Sequence, residues 1–249
     1  MPAQLPLFEP AATPAPRIIP SGSLRLDWAL RTGGLPVGQI CEVFGLPACG
    51  KTTFCLSLIA SAQQSAGPES GTCAFIDTEG ALDLQHARRC GVDLDRLVLC
   101  RPDCAEAALD MVERLASSRA VEVIVLDSLT ALLTKAEQQA PLGEGAPQAL
   151  DILLANRLPH LKRAAQRSGA LLVFTSQLQD PASPTFFGAQ KSTSGLAIKL
   201  QASLRLELRL AGRLEQAGQA VGDRLQIHLV KWKEQPASRT IEIVIMYNE

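Results

Sequence analysis

The sequence predicts an α/β fold: a mainly parallel central sheet with helices on both faces and an antiparallel C-terminal extension. Three observations carry this. From residue 38 onward, apolar runs rich in Val, Ile and Leu alternate with segments of helical period, as in a parallel sheet joined by crossover helices. After Lys199 the alternation gives way to consecutive strand-like runs with short turns, which pair antiparallel. The stretch GLPACGKT sits between the first apolar run and the first helical segment, the strand–loop–helix junction of many doubly wound folds.

The elements follow in order. Pro2, Pro6, Pro10, Pro14 and Pro16 forbid a continuous helix in the leader, because each removes a donor and restricts the residue before it. Residues 1–17 are therefore expected to be a disordered leader and residues 18–249 a single core. GQICEVF, TCAFID, RLVLC, VEVIVLD and ALLVFTS read as buried strands, with helices over 52–66, 82–90, 105–117 and 148–166 between them. ASLRLELRL, DRLQIHLVKWK and RTIEIVIM then form the antiparallel part. Residues 138–147 and 179–194 read as irregular loops, the second rich in Pro, Ser, Thr and Gly. Loops of that length inside a compact domain are often functional.

Composition narrows the function. With 249 residues and 47% hydrophobic content the chain can bury one sizeable core. A net charge of −1 gives no global basic footprint, so any contact with nucleic acid must rest on a local patch. No apolar run reaches the roughly 18 residues that span a bilayer, and the leader lacks the charged start and apolar middle of a secretion signal. A cytoplasmic protein without membrane partners is expected. The seven cysteines form no Cys-x-x-Cys pair and read as reduced core thiols rather than metal ligands.

GLPACGKT, Gly45 to Thr52, matches G-x-x-x-x-G-K-[ST] between a strand and a helix. Gly45 and Gly50 let backbone N–H groups, that of Cys49 among them, wrap phosphates, and the helix N-terminus adds positive potential. Lys51 reaches the outer phosphates, the Thr52 hydroxyl ligates Mg2+, and Thr53 follows in the first helical turn. A magnesium site needs a second oxygen donor, which Asp127 supplies at the end of VEVIVLD. Glu79, just past FID, can orient or deprotonate an attacking water; an ordinary solvated loop acid would look the same. Gln177, ending ALLVFTSQ, is a candidate sensor of a terminal phosphate. Cys49 lies where helix-terminal potential would lower a thiol pKa, predicting a redox-sensitive loop.

IPSGSLRLDWALRTGGLPVGQICEVFG, GLPACGKTT, CAFIDTEGALD, VEVIVLDSLTALLTKAE, LLVFTSQ and HLVKWK resemble successive signatures of the bacterial RecA family. They occur in the same order and at nearly the same spacing over about residues 18–249. The resemblance implies a RecA-like P-loop ATPase core using ATP and Mg2+, with Lys51, Thr52 and Asp127 on phosphate and metal, Glu79 activating water and Gln177 sensing phosphate. It further implies that Asp83 faces the adenine edge and that His86 stands where the family stacks a tyrosine on the base. Lys231 and Lys233 match lysines that reach a neighbouring protomer's nucleotide, which implies a homo-oligomer through the core. A pair of solvated strand lysines is the other reading.

Departures from the family are equally specific. The short leader is expected to stand in place of the family's N-terminal polymerisation arm, and a core without the family's C-terminal DNA-gathering domain is expected. In the second DNA loop Gln179 replaces an arginine, while Phe186, Phe187, Lys191 and Lys199 remain. Weak, salt-sensitive binding of single-stranded DNA is expected. In the leader, QLPLF (Gln4, Leu5, Leu7, Phe8) resembles the peptides that dock repair polymerases on the sliding clamp; a tail packing on the protein's own surface accounts for the same residues. Together these features resemble ImuA, the RecA-related accessory of bacterial translesion synthesis. That family implies an ImuB-like polymerase accessory, the clamp or RecA as partners, and an ATP-controlled role in DNA repair. A short filament-forming recombinase and a binding module that holds nucleotide without turnover remain the alternatives.

Overall fold

A computed structural model describes residues 17–67, 70–140, 148–178, 195–216, 218–233 and 239–247. In chain order the elements are β1 (Ile18–Ile19), α1 (Leu24–Leu30), β2 (Leu35–Pro36), β3 (Ile40–Gly45), α2 (Lys51–Ala66), β4 (Cys73–Asp77), α3 (Leu84–Arg89) and β5 (Leu97–Cys100). They continue with α4 (Ala105–Ser118), β6 (Val123–Asp127), α5 (Lys135–Gln139), α6 (Ala149–Ser168), β7 (Leu171–Gln177), α7 (Gly195–Gln201), β8 (Leu204–Gln216), β9 (Gln219–Trp232) and β10 (Arg239–Met246). β1 and β2 pair antiparallel as a short ribbon. The other strands form one sheet in the order β10-β9-β8-β3-β7-β6-β4-β5. Pairing from β8 to β5 is parallel, and β9 and β10 add antiparallel at the β8 edge.

The apolar runs are continuous because both sides of each strand are covered. Along β6, Val123 and Val125 face a core that includes Phe54, Leu58 and Ile59 of α2 and Leu26 and Leu30 of α1. Ile124 and Leu126 face the opposite core, with Leu109 and Val112 of α4, Leu154, Leu158 and Leu161 of α6, and Ile198 of α7. Side chains alternate across a strand, so a run with no polar break marks burial on both faces.

Three segments differ from the sequence pattern. Leu24, Leu26, Trp28 and Leu30 alternate as in a strand, but Leu26, Ala29 and Leu30 also fall at helical spacing, and the segment forms α1. The turn is tied by Asp27, whose backbone N–H donates to Ser23 O (2.9 Å) and whose carboxylate accepts from Ser21 N (2.9 Å). Leu26 and Leu30 are buried, while Leu24 and Trp28 remain exposed. The loop expected over 138–147 begins later, because residues 138 and 139 close α5, nucleated by a capping box in which Thr134 accepts from Glu137 N and Glu137 accepts from Thr134 N. β8 and β9 run on as a ribbon of mostly exposed residues beyond the sheet edge, where cross-strand pairing extends strands that carry little apolar signal. The leader with Gln4, Leu5, Leu7 and Phe8, the loop over 141–147, and Phe186, Phe187 and Lys191 lie outside the described residues. Among the described residues no helix is long and apolar enough to cross a membrane.

Candidate nucleotide-binding site

Sheet order places the site. Gly45 ends β3 level with Gln177 of the adjacent β7, and Asp127 of β6 is level with Asp77 of β4. The carboxyl ends of four neighbouring strands therefore bring the glycine-rich loop, Gln177, Asp127 and the turn holding Glu79 to one crevice, where open α/β sheets bind ligands. The crevice is a cleft of about 300 Å³.

The loop is shaped by contacts only glycine permits. A Cβ on Gly45 would collide with the Leu208 carbonyl oxygen of β8, and one on Gly50, at φ +88°, would come within 2.8 Å of Leu225 Cδ2 of β9. Lys51 begins α2 and is buried. Its Nζ donates to Gly45 O (3.3 Å) and Leu46 O (2.8 Å), which holds the ammonium over the loop. Thr52 Oγ1 donates to Asp127 Oδ2 (2.6 Å), and Thr175 Oγ1 donates to Asp127 Oδ1. Burial pushes the Asp127 carboxyl above its usual range, the two threonine hydroxyls oppose that shift, and nearby Glu79 reinforces it.

Glu79 is held from two sides. Ser128 Oγ donates to its Oε1 (2.7 Å), and Gln177 Nε2 donates to the same oxygen (3.2 Å). Ser128 is itself fixed by exchange with Thr78: its N donates to Thr78 Oγ1 (2.7 Å), which donates to Ser128 O (2.8 Å). Thr130 Oγ1 accepts from Gln177 N (2.9 Å). Buried Asp77 accepts from Ala81 N (3.2 Å) and Leu82 N (3.1 Å), closing the turn that carries Glu79.

At the other end of the cleft stand His86, Leu210, Arg213, Asp223 and Tyr247. Thr53 Oγ1 and His86 Nε2 are hydrogen-bonded at 3.0 Å. The His86 ring meets Tyr247 edge-on, with centroids 5.2 Å apart, and Tyr247 O–H donates to Asp223 Oδ2 (2.7 Å). Burial, then the Arg89 charge, lowers the His86 pKa, and Asp83 and Asp223 pull it partly back. As pH falls below about 6.5 the unfolded chain therefore takes up its proton before the folded one, and stability is lost until the folded pKa is passed. The nucleotide-free protein is expected to lose Tm as pH falls through about 6.5, the ordinary histidine value, and His86→Gln to show a shallower loss in a pH series of thermal melts.

Of the residues singled out in the sequence, the cleft gathers Cys49, Gly50, Lys51, Thr52, Thr53, Glu79, His86, Asp127 and Gln177. Asp83 caps α3, accepting from Gln85 N (2.8 Å), and is exposed outside the cleft lining. Lys231 and Lys233 also lie away from it. Lys231 Nζ donates to Lys199 O (2.7 Å) and Leu200 O (3.2 Å), capping the end of α7. Burial, then the neighbouring Lys233, lowers the Lys231 pKa. Ser128 and Thr175 lie inside the quoted motifs, but spacing gives them no role there; Asp223 and Tyr247 lie outside any motif, and all four become visible once β6, β7, β9 and β10 are aligned.

One expectation is overturned. Cys49 is buried beneath the loop, and burial pushes its thiol pKa up; the Lys51 charge offsets this only in part. Desolvation wins over helix-terminal potential, so Cys49 is not an activated thiol. Mild peroxide is expected to leave Cys49 unmodified and nucleotide affinity unchanged, as read by mass spectrometry and calorimetry.

Comparison with known proteins agrees with this geometry. Residues 11–249 match the RecA N-terminal domain family. The chain is 39% identical over 231 residues to Protein RecA of Chloroflexus aurantiacus, covering 93% of this chain and 65% of that protein. It is 40% identical over 231 residues to Protein RecA of Bacillus licheniformis, with the same coverage. To Protein RecA of Brucella anthropi it is 38% identical over 229 residues, covering 92% of this chain and 62% of that protein. It thus spans somewhat under two thirds of the length of these relatives. With the family model matched over nearly the whole chain and the phosphate loop, Asp127 and Glu79 assembled at the carboxyl ends of neighbouring strands, this protein belongs to the RecA N-terminal domain family.

Proposed function

We propose that the protein is an ATP-hydrolysing RecA-like component of bacterial DNA repair whose nucleotide state controls its contacts with partner proteins and, weakly, with single-stranded DNA. The observation that carries this reading is the placement of Glu79, a carboxylate oriented by Ser128 and Gln177, in the same cleft as Lys51, Thr52 and Asp127. A structural nucleotide site has no use for a positioned base. The Thr52 hydroxyl and the Asp127 carboxylate, 2.6 Å apart, are hard oxygen donors that would hold Mg2+. When bound, Mg2+ would supply charge neutralisation to the nucleotide phosphates.

The chain's own residues divide the remaining work. Loop N–H groups and Lys51 hold the phosphates, Lys51 exchanging its loop carbonyls for phosphate oxygens. Glu79 orients the attacking water and takes its proton. Gln177 leaves Glu79 for the terminal phosphate and carries that change toward the loop beginning at residue 179. In this reading Gln4, Leu5, Leu7 and Phe8 dock a sliding clamp or an ImuB-like accessory, RecA is a further partner, and the role is that of a translesion-synthesis accessory resembling ImuA. A short recombinase is the alternative, and the identity of about 39% to proteins named Protein RecA is compatible with both readings.

The test is ATP turnover by the purified protein with and without single-stranded DNA, at low and physiological salt, beside Lys51→Ala. Slow turnover that needs Lys51 and ignores DNA is expected. Strong stimulation by DNA would move the reading to a recombinase, and Lys51-independent turnover would remove the ATPase altogether.

A further inference from the structure

The face of α1 turned away from the core is apolar and uncovered. Leu24 (89% exposed) and Trp28 (83%) are the most exposed large apolar side chains among the described residues. Four residues apart on a helix, they share one stripe, while Leu26 and Leu30 on the other side are fully buried. Trp28 also walls a cavity of about 470 Å³ whose other lining residues are Asp27, Arg31, Gly33 and Arg239. An exposed tryptophan beside a leucine at the rim of a cavity is the pattern of an interaction surface, unlike apolar side chains scattered singly. Among the described residues Arg31 and Arg239 form no ion pair, and the Asp27 carboxylate is engaged by Ser21 N.

The place where the chain enters the structure indicates what covers this face. Arg17 is the first described residue. Ile18 follows at the border of the cavity, its Cδ1 3.1 Å from where a Cβ on Gly33 would stand. The leader therefore joins the fold beside the cavity. From Phe8 to Arg17 the chain can extend to roughly 30 Å, against roughly 10 Å for the length of α1, so reach is no obstacle. The chemistry matches as well. In the leader Leu5, Leu7 and Phe8 are followed directly by Glu9, whose side chain is the one charged side chain of residues 1–16. An apolar segment ending in an acid complements an apolar face bordered by two arginines. We propose that this face of α1 is the docking site of the chain's own leader: Leu5, Leu7 and Phe8 cover Leu24 and Trp28 and enter the cavity, and Glu9 meets Arg31 and Arg239. The contact is independent of the reading of the cleft as a nucleotide site. Any partner of QLPLF then has to displace the leader from α1, which weakens its apparent affinity in inverse proportion to the undocked fraction.

The experiment titrates a labelled peptide of residues 1–16 into the full chain and into a full-length variant carrying Leu5→Ser, Leu7→Ser and Phe8→Ser. Those changes free the face without touching the core. A tethered leader competes at an effective concentration on the order of 1 mM, so the peptide is expected to bind the variant about tenfold or more tightly than the wild type. Adding Trp28→Ser to the variant is expected to abolish peptide binding; Trp28 is exposed, and thermal melts check that the fold is kept. Acrylamide quenching of tryptophan fluorescence gives a second readout that needs no peptide. The leader variant is expected to be quenched more steeply than the wild type, and the difference to vanish when both chains carry Trp28→Phe. Trp232, the other tryptophan, is 5% exposed and contributes equally to both chains. A peptide that fails to bind the leader variant, or binds both chains alike, would overturn the proposal. So would equal quenching of the two chains. Protection of Trp28 that grows with protein concentration, with dimers in light scattering, would put a second copy's leader on the face and overturn the contact within one chain.

Discussion

Replacing Glu79 by glutamine is expected to lower kcat for ATP hydrolysis roughly 10²–10⁴-fold, the range for removal of a positioned general base, while nucleotide affinity changes little. Glutamine keeps an Oε1 that can accept from Ser128 Oγ, now at 2.7 Å from Glu79, so the shape of the turn survives. What is lost is the capacity to take a proton from water. The same substitution also changes the Gln177 contact at 3.2 Å, since two side-chain amides then compete for the bonds the carboxylate accepted. Single-turnover kinetics with a parallel calorimetric titration separate the two effects. A variant that hydrolyses ATP at the wild-type rate would show that Glu79 only shapes the cleft.

Replacing Arg205 by alanine is expected to cost about 3–5 kcal/mol of stability, the range for stripping one partner from a buried ion pair. Glu42 lies in the central strand β3 and is fully buried, and Arg205 of β8, directly across from it, is 11% exposed in its side chain. The guanidinium Nε donates to Glu42 Oε2, Ser176 Oγ donates to Oε1 (2.8 Å), and the guanidinium stacks 4.6 Å from the Phe44 ring centroid. Alanine removes both the counter-charge and this stacking. Urea unfolding should show the midpoint fall without a change in slope. Glu42→Leu combined with Arg205→Leu is expected to recover much of the loss, because no unpaired charge remains inside. A double variant no more stable than Arg205→Ala would mean that the cost is packing rather than charge. The pair also bears on function, because it clamps β8 to β3, the strand that feeds the phosphate loop.

Much of the fold is legible in the sequence because its signals are local. A parallel sheet buries both faces of its strands, so VEVIVLD and ALLVFTS announce themselves as unbroken apolar runs, and their register in the structure follows. The phosphate loop is legible for the same reason: glycines, Lys51 and Thr52 act within one strand–loop–helix unit. Where the local signal and the surroundings disagree, the surroundings prevail. Leu24, Leu26, Trp28 and Leu30 suit a strand or a helix alike, and α1 is helical because Leu26, Ala29 and Leu30 are buried on one face and Asp27 ties the first turn. Cys49 sits at a helix start, yet its thiol is pushed up by the core that covers it.

The sequence by itself determined the alternation of strands and helices, the parallel sheet and the phosphate loop, because periodicity and loop chemistry are carried by neighbouring residues. Only the tertiary structure decided which acids and hydroxyls meet. Ser128 and Gln177 converge on Glu79 because β6 and β7 lie side by side between β3 and β4. Asp223 and Tyr247 join His86 because the antiparallel strands fold back along the β8 edge toward α2. These contacts depend on strand order rather than on sequence spacing, and strand order is settled by burying two faces of one sheet at once.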